Sequence, residues 1–235
     1  MFAVGHMSIA YLLGKGSSKP LHYKPNIPLL LVLSIIPDID IIFDRFSSIE
    51  LHRGPTHSVI VAIVTFVPFF IVYRKKTIPY FLALISHSLI GDFFIGGQLQ
   101  LLWPLSNTKF GFHELGFYYI SIYNSIDAVI ELTFFIIAIA ILIKSNDWKV
   151  FFTANKSNLL LIIPIFSVLL PATIGYPFSK SVFLIQPELA IAHLFLLVLF
   201  SIAVLKTFQY LIQDKNKHSE KSVNNKESLP TKAGQ

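Results

Sequence analysis

The chain has 235 residues, 54% of them hydrophobic and 14% charged, with a mean hydropathy of +0.65. Soluble domains run about 45–50% apolar and about 25% charged, so an ordinary soluble fold is excluded. The absence of cysteine removes disulfides, thiolate zinc sites and a cysteine nucleophile together. The net charge of +6 does not signal nucleic acid, because the lysines lie between apolar segments and in the tail, not on one basic face.

The chain opens Met1-Phe2-Ala3-Val4-Gly5-His6, with no basic n-region, so a cleaved signal peptide is not expected. Residues 2–14 are apolar but too short to cross a bilayer alone, and read as a half-inserted or re-entrant helix. Crossing about 30 Å of hydrocarbon takes roughly 17–25 residues. Runs of that kind fall near 27–43, 57–73, 78–95, 125–143, 159–176 and 188–212. The first carries Pro37 and is expected to end in a broken helix. The short basic link Arg74-Lys75-Lys76 makes the second and third an antiparallel hairpin. The fold class is therefore all-α: a polytopic membrane helix bundle of about six spans plus the short N-terminal helix. Residues 1–145 hold the site, 146–212 add helices to the same bundle, and 213–235 read as a disordered polar tail.

The positive-inside rule orients these spans. With Arg74, Lys75 and Lys76 in the cytoplasm, Lys15, Lys19, Lys24, Lys144, Lys149, Lys156, Lys206 and the tail lysines also fall inside. Only Arg45, Arg53, Lys109 and Lys180 fall outside. The expected location is the plasma membrane, multi-pass, with the C-terminal tail cytoplasmic.

That orientation gathers the unusual residues at one depth. His52 and His57 sit in an outer loop, Asp38 and Asp40 end the first span, and Asp92 ends the third with His87 deeper. His6 joins them if the N-terminal stretch starts outside. Ionisable groups in apolar spans are costly and mark function, and histidines with carboxylates are what a zinc-type ion selects. His6, His52, His57, His87 and Asp92 are the expected metal ligands. His57 follows a Gly-Pro turn, with Thr56 expected to cap the next helix. Asp92 stands five residues after His87, about 140° round a regular helix, unless Gly91 permits a bulge. Asp38 and Asp40 would diverge in a regular helix, whereas an unwound Pro-Asp-x-Asp would turn both into a cavity. One is expected to cap a helix, and the other to ligate the metal or orient a ligating histidine; a carboxylate that does not ligate could serve as general base. Asp127 and Glu131, four apart on one helix face, could support the site from behind or form a polar seam. Arg53 could clamp an anionic group such as phosphate or anchor at headgroups. His113-Glu114 and His193 are further candidates, while His22 and His218 fall on the inner side.

The ordered pieces are His6, Pro37-Asp38-x-Asp40, His52-Arg53-Gly54-x-Thr56-His57-Ser58, Ser86-His87 with Asp92, and Leu101-Leu102-Trp103-Pro104. Together they resemble the membrane-bound metal-dependent hydrolase family, whose bacterial members include a LexA-regulated inner-membrane protein. The resemblance spans roughly residues 1–145, and His-Arg-Gly-x-Thr-His-Ser is its most specific piece. It implies a helical membrane hydrolase whose histidine/aspartate pattern is similar to that of zinc-dependent phospholipase C. The family spacing is closer to His-x-x-x-Asp, so His87 to Asp92 carries one residue more here.

The reading that follows is a metal-dependent hydrolase, with zinc or a similar ion activating water against a lipid or phosphoester at the outer interface. No Gly-x-Ser-x-Gly is present, so a serine nucleophile is disfavoured. A metal that merely staples helices would need a closed shell. An ion transporter would need polar groups through both halves of the membrane.

Overall fold

The computed structural model describes residues 1–44, 52–176 and 179–227. Arg45 and the residues to Leu51, together with the last eight positions of the expected tail, lie outside them. The described residues are helical, without a strand; two isolated bridges pair Ile95 with Ile120 and Leu99 with Phe110.

Helix α1, Ala3–Ser18, is packed at the centre of the bundle. It packs on α2 (Ile27–Leu33), α4 (Ile78–Ser86) and α5 (Ser125–Lys144). Val4, Met7, Ala10 and Tyr11 are all buried, as an apolar helix without a polar face must be. Gly14 lets α2 approach, since a Cβ there would meet the Leu30 side chain at 2.6 Å. Glu131 of α5 fixes the start of α1 by accepting the backbone N–H groups of Phe2 (2.5 Å) and Gly5 (2.8 Å), which have no intrahelical partners.

Among the described residues, three helices are long and apolar enough to cross a membrane: Ser125–Lys144 (α5), Lys156–Ile174 (α6) and Pro187–Lys217. The last belongs to α7, Ala190–Glu227. The first two expected spans form shorter helices, while the third is continuously helical over 78–94. Pro37 stops the first after seven residues of α2, begun by Asn26, whose side chain accepts the Leu29 N–H (3.1 Å). Helix α3, Val59–Tyr73, has 15 residues and reaches only about 22 Å at 1.5 Å per residue. Its N-cap is Ser58, which accepts from Ile60 and Val61, and not Thr56. Helix α3 leans on α4 and leaves Val64, Ile71 and Val72 more than 60% exposed. An apolar face of that kind belongs against lipid in a membrane protein.

The polar segment after residue 212 continues α7 to Glu227 instead of leaving the helix there. Lysine, glutamate and glutamine are good helix formers, and no proline or glycine interrupts the segment before Pro230.

Candidate metal centre

The centre is built where three helices break or begin. After α2 the chain tightens into a 3₁₀ turn, Ile36–Ile39, before the short helix Asp40–Asp44. In that turn the Asp38 N–H bonds to the Ile35 carbonyl (3.0 Å). The Ser34 carbonyl, which a continued helix would have used, instead receives the Nδ1–H of His87 at 2.6 Å. The break at Pro37 thus both unwinds the aspartates and orients a histidine. A neutral His87 then presents a bare Nε2 to the interior.

His57 reaches the same state from the other side. Thr56 Oγ1 donates its one hydrogen to Asp40 Oδ2, so at 3.0 Å it accepts from the Nδ1–H of His57. The two bare Nε2 atoms lie 3.2 Å apart, and both imidazoles are fully buried. Two lone pairs at that distance repel unless something electropositive sits between them.

Two carboxylates complete the arrangement. Asp38 Oδ1 lies 3.5 Å from His57 Nε2 and 3.2 Å from His87 Nε2; Asp92 Oδ2 lies 3.3 and 3.7 Å from the same two atoms. Donors about 2.0–2.2 Å from a tetrahedral ion stand roughly 3.4 Å apart, so this quartet has the dimensions of a four-ligand cage. Asp40, His52 and His57 form a second group of suitable size. There the His57 nitrogen carries hydrogen, which suits an orienting pair better than an ion.

Asp92 reaches the quartet through a π-helical turn, His87–Asp92, that continues α4. Bonds from i to i+5 place residues five apart on one face, which removes the offset of a regular helix. Gly91 is needed for another reason as well. A Cβ there would sit 2.2 Å from Cε1 of His6 and 2.4 Å from its Nδ1. His6 stacks on His87 with ring centroids 3.9 Å apart, and its Nε2 lies 3.4 Å from Asp92 Oδ1. Neither His6 ring nitrogen makes a hydrogen bond, although the residue is buried. An orphaned imidazole beside two histidines and two carboxylates fits a cation and does not fit a closed hydrogen-bond network.

Around the quartet, His52 donates from Nδ1 to Asp40 Oδ1 at 2.9 Å. Arg53 has a left-handed backbone (φ 64°); its Nε lies 3.8 Å from Asp92 Oδ2 and Nη1 donates to the Gly96 carbonyl. Gly96 and Gly97, both at positive φ, are flush against the guanidinium, which a Cβ at either would meet within 3 Å. The Ser58 hydroxyl donates to the Trp103 carbonyl (2.6 Å) and the Val59 N–H to that of Leu101 (2.9 Å). The Leu-Leu-Trp-Pro piece therefore clamps the histidine stretch.

A cavity of about 430 Å³ opens beside this point, lined by His52, Arg53, Gln98, Lys109, His113 and Tyr119 among others. Glu114 is also on its wall. It accepts from Gln98 (2.6 Å), which together with His113 holds its carboxyl below the usual range.

Of the sequence candidates, then, Asp38, His57, His87 and Asp92 converge, and His6 lies against them. Asp40 and His52 stand behind His57, and Arg53 faces the cavity. Asp127 and Glu131 do not touch the quartet; Glu131 serves the start of the helix that carries His6. His193 lies elsewhere, bonded to the Leu169 carbonyl (3.0 Å). Sequence reasoning missed the Ser34 carbonyl and the glycine pair at 96–97. The adjacent glycines were the one visible signal for the latter.

No curated protein and no solved structure matches the chain. A family model does, over residues 1–179, which include every residue of the centre. The chain therefore belongs to the YdjM inner membrane protein family.

Proposed function

We propose that this membrane protein is a metal-dependent hydrolase that cleaves a lipid or another amphiphilic phosphoester at the extracytoplasmic face. One observation carries the reading: two buried imidazoles turn their Nε2 atoms to each other at 3.2 Å between two carboxylates. Asp38, His57, His87 and Asp92 would hold the ion, with His6 against Asp92. Zinc fits this set of nitrogen and oxygen donors. Such an ion polarises the bond under attack and makes water a nucleophile near neutral pH.

The chain's own residues supply the rest. Asp40 and Thr56 keep hydrogen on Nδ1 of His57, so that Nε2 faces the centre. His52, held by Asp40 and lining the cavity, is placed to carry a proton between the centre and the outside. Arg53, pinned by the two glycines, meets the anionic group of a substrate entering the cavity, and Lys109 adds charge on the far wall. The cavity supports catalysis over a stapling ion, since a staple needs no polar cavity walled by His52 and Arg53, which stand next to the quartet. Lys15, Arg74 to Lys76 and Lys144 on the opposite side support an inward-facing C-terminus and an outward-facing site.

The test is hydrolysis by the full chain in phospholipid vesicles, assayed against phospholipids and lipid phosphates. The proposal expects activity that chelation abolishes, zinc restores and His87→Ala removes. Chelator-insensitive activity, or none with any lipid phosphoester in the metal-loaded protein, would overturn it.

A further inference from the structure

A second chamber adjoins the centre at Asp38. It has a volume of about 50 Å³ and is lined by Phe2, Asp38, Ser167, Ala172, Tyr176 and His193 among others. Asp38 therefore borders both the candidate ion site and this chamber. The far wall comes from α6 and α7, which the centre does not otherwise use.

Two polar atoms of residues on that wall have no hydrogen-bond partner among the described residues: Nδ1 of His193 and Oγ of Ser167. His193 is 1% exposed and Ser167 4% exposed, so bulk solvent does not satisfy them. The tautomer of His193 follows from its other nitrogen. Nε2 faces the Leu169 carbonyl and Thr173 Oγ1, both at 3.0 Å, and the Thr173 hydroxyl already donates to that carbonyl (2.8 Å). Nε2 therefore carries the hydrogen, and Nδ1 is a bare acceptor that needs a donor. Ser167 lies in a π-helical turn, Ile165–Leu169, four residues before Pro171, which lacks the N–H that would engage the carbonyl there.

An unpaired buried acceptor is destabilising, and a polar chamber resolves it by holding water. A water needs roughly 10–15 Å³ of such space, so this chamber has room for about three.

We propose that the chamber is a built water site. His193 Nδ1 accepts from one water and Ser167 Oγ bonds another, and the chain of waters ends on Asp38. The occupancy of the chamber is independent of catalysis. Its use as an internal water supply to the centre rests on the hydrolase reading above. It gives α6 and α7 a role in the site they enclose.

X-ray radiolytic footprinting of the full chain in vesicles tests this directly, because hydroxyl radicals formed from bound water oxidise the side chains beside it. Phe2 and His193 are shielded from bulk solvent, and Phe151 and Phe200 are equally buried references away from the chamber. The expected result is oxidation of Phe2 and His193 well above the two references. Ser167→Ala should lower it and Ala172→Leu, which fills the chamber, should remove it, with metal content unchanged in both. Oxidation of Phe2 and His193 no faster than the references would overturn the proposal, as would rates that Ala172→Leu leaves unaltered. A wet chamber in a protein that hydrolyses nothing would support this inference while the hydrolase reading fell. A dry chamber in an active enzyme would do the reverse.

Discussion

Gly91→Ala is the smallest change that should disable the centre. The added methyl would lie 2.2 Å from Cε1 of His6, whereas ordinary contact begins near 3.4 Å. The ring must therefore retreat by more than an ångström. It has little room, because it is buried and stacked on His87 at 3.9 Å. Overpacking of this kind costs about 1–3 kcal/mol, and displacing a residue that supports a metal ligand typically weakens binding about 10- to 100-fold. The assay is a double-mutant cycle with His6→Ala, read by the thermal midpoint in detergent and by zinc titration. Since His6→Ala removes the clashing atoms, the double variant should be no less stable than Gly91→Ala alone. Additive losses would show that the methyl strains the π-helical turn itself, and would refute the assignment of Gly91 to His6.

Two further perturbations test the supports of the centre. Glu131→Gln leaves the first turn of α1 with weaker acceptors for Phe2 and Gly5, and should cost about 1–2 kcal/mol while near-stoichiometric metal is retained, as thermal melts and metal analysis would show. At the C-terminal end of α1, burial pushes the Asp147 carboxyl up, but hydrogen bonds from Lys15 (2.6 Å), Ser145 (2.7 Å) and Tyr11 (3.0 Å) outweigh it and hold the group below its usual range. A carboxyl depressed in the folded state stabilises fully above the ordinary value near pH 4 and loses that contribution as pH falls below it. Melting of the wild type should therefore drop on acidification below about pH 4, and Asp147→Asn should flatten that drop.

Much of the centre was legible because its chemistry is local. Asp38 and Asp40 could share a site only if the helix unwound, and Pro37 made that the natural outcome. The five-residue step from His87 to Asp92 demanded a bulge, and the π-helical turn supplies it. What stayed hidden depends on packing between distant segments. Nothing near residues 2–14 reveals that α1 is the central helix, because its burial comes from α2, α4 and α5. For the same reason Glu131 reads as a site carboxylate until its partners, Phe2 and Gly5, are seen. The roles of Asp38 and Asp40 were equivalent by sequence; they separate because Thr56 and His52 engage only the second. The first apolar run folds as a shorter helix because Pro37 breaks it, whereas the second ends at Tyr73 as its run does, ahead of the Arg74-Lys75-Lys76 turn. His193 read as a lone histidine near a span end, since its neighbour Ser167 comes from another helix.

The central claim is that the buried quartet holds a metal ion, and elemental analysis of the full chain tests it most directly. Protein purified in detergent without chelator would be measured by mass spectrometry beside His57→Ala and His87→Ala, with helicity checked by circular dichroism. The account predicts near-stoichiometric divalent metal in the wild type, falling sharply in both variants while helicity is retained. Well-folded wild-type protein that holds no metal, even after zinc is added back, would contradict it.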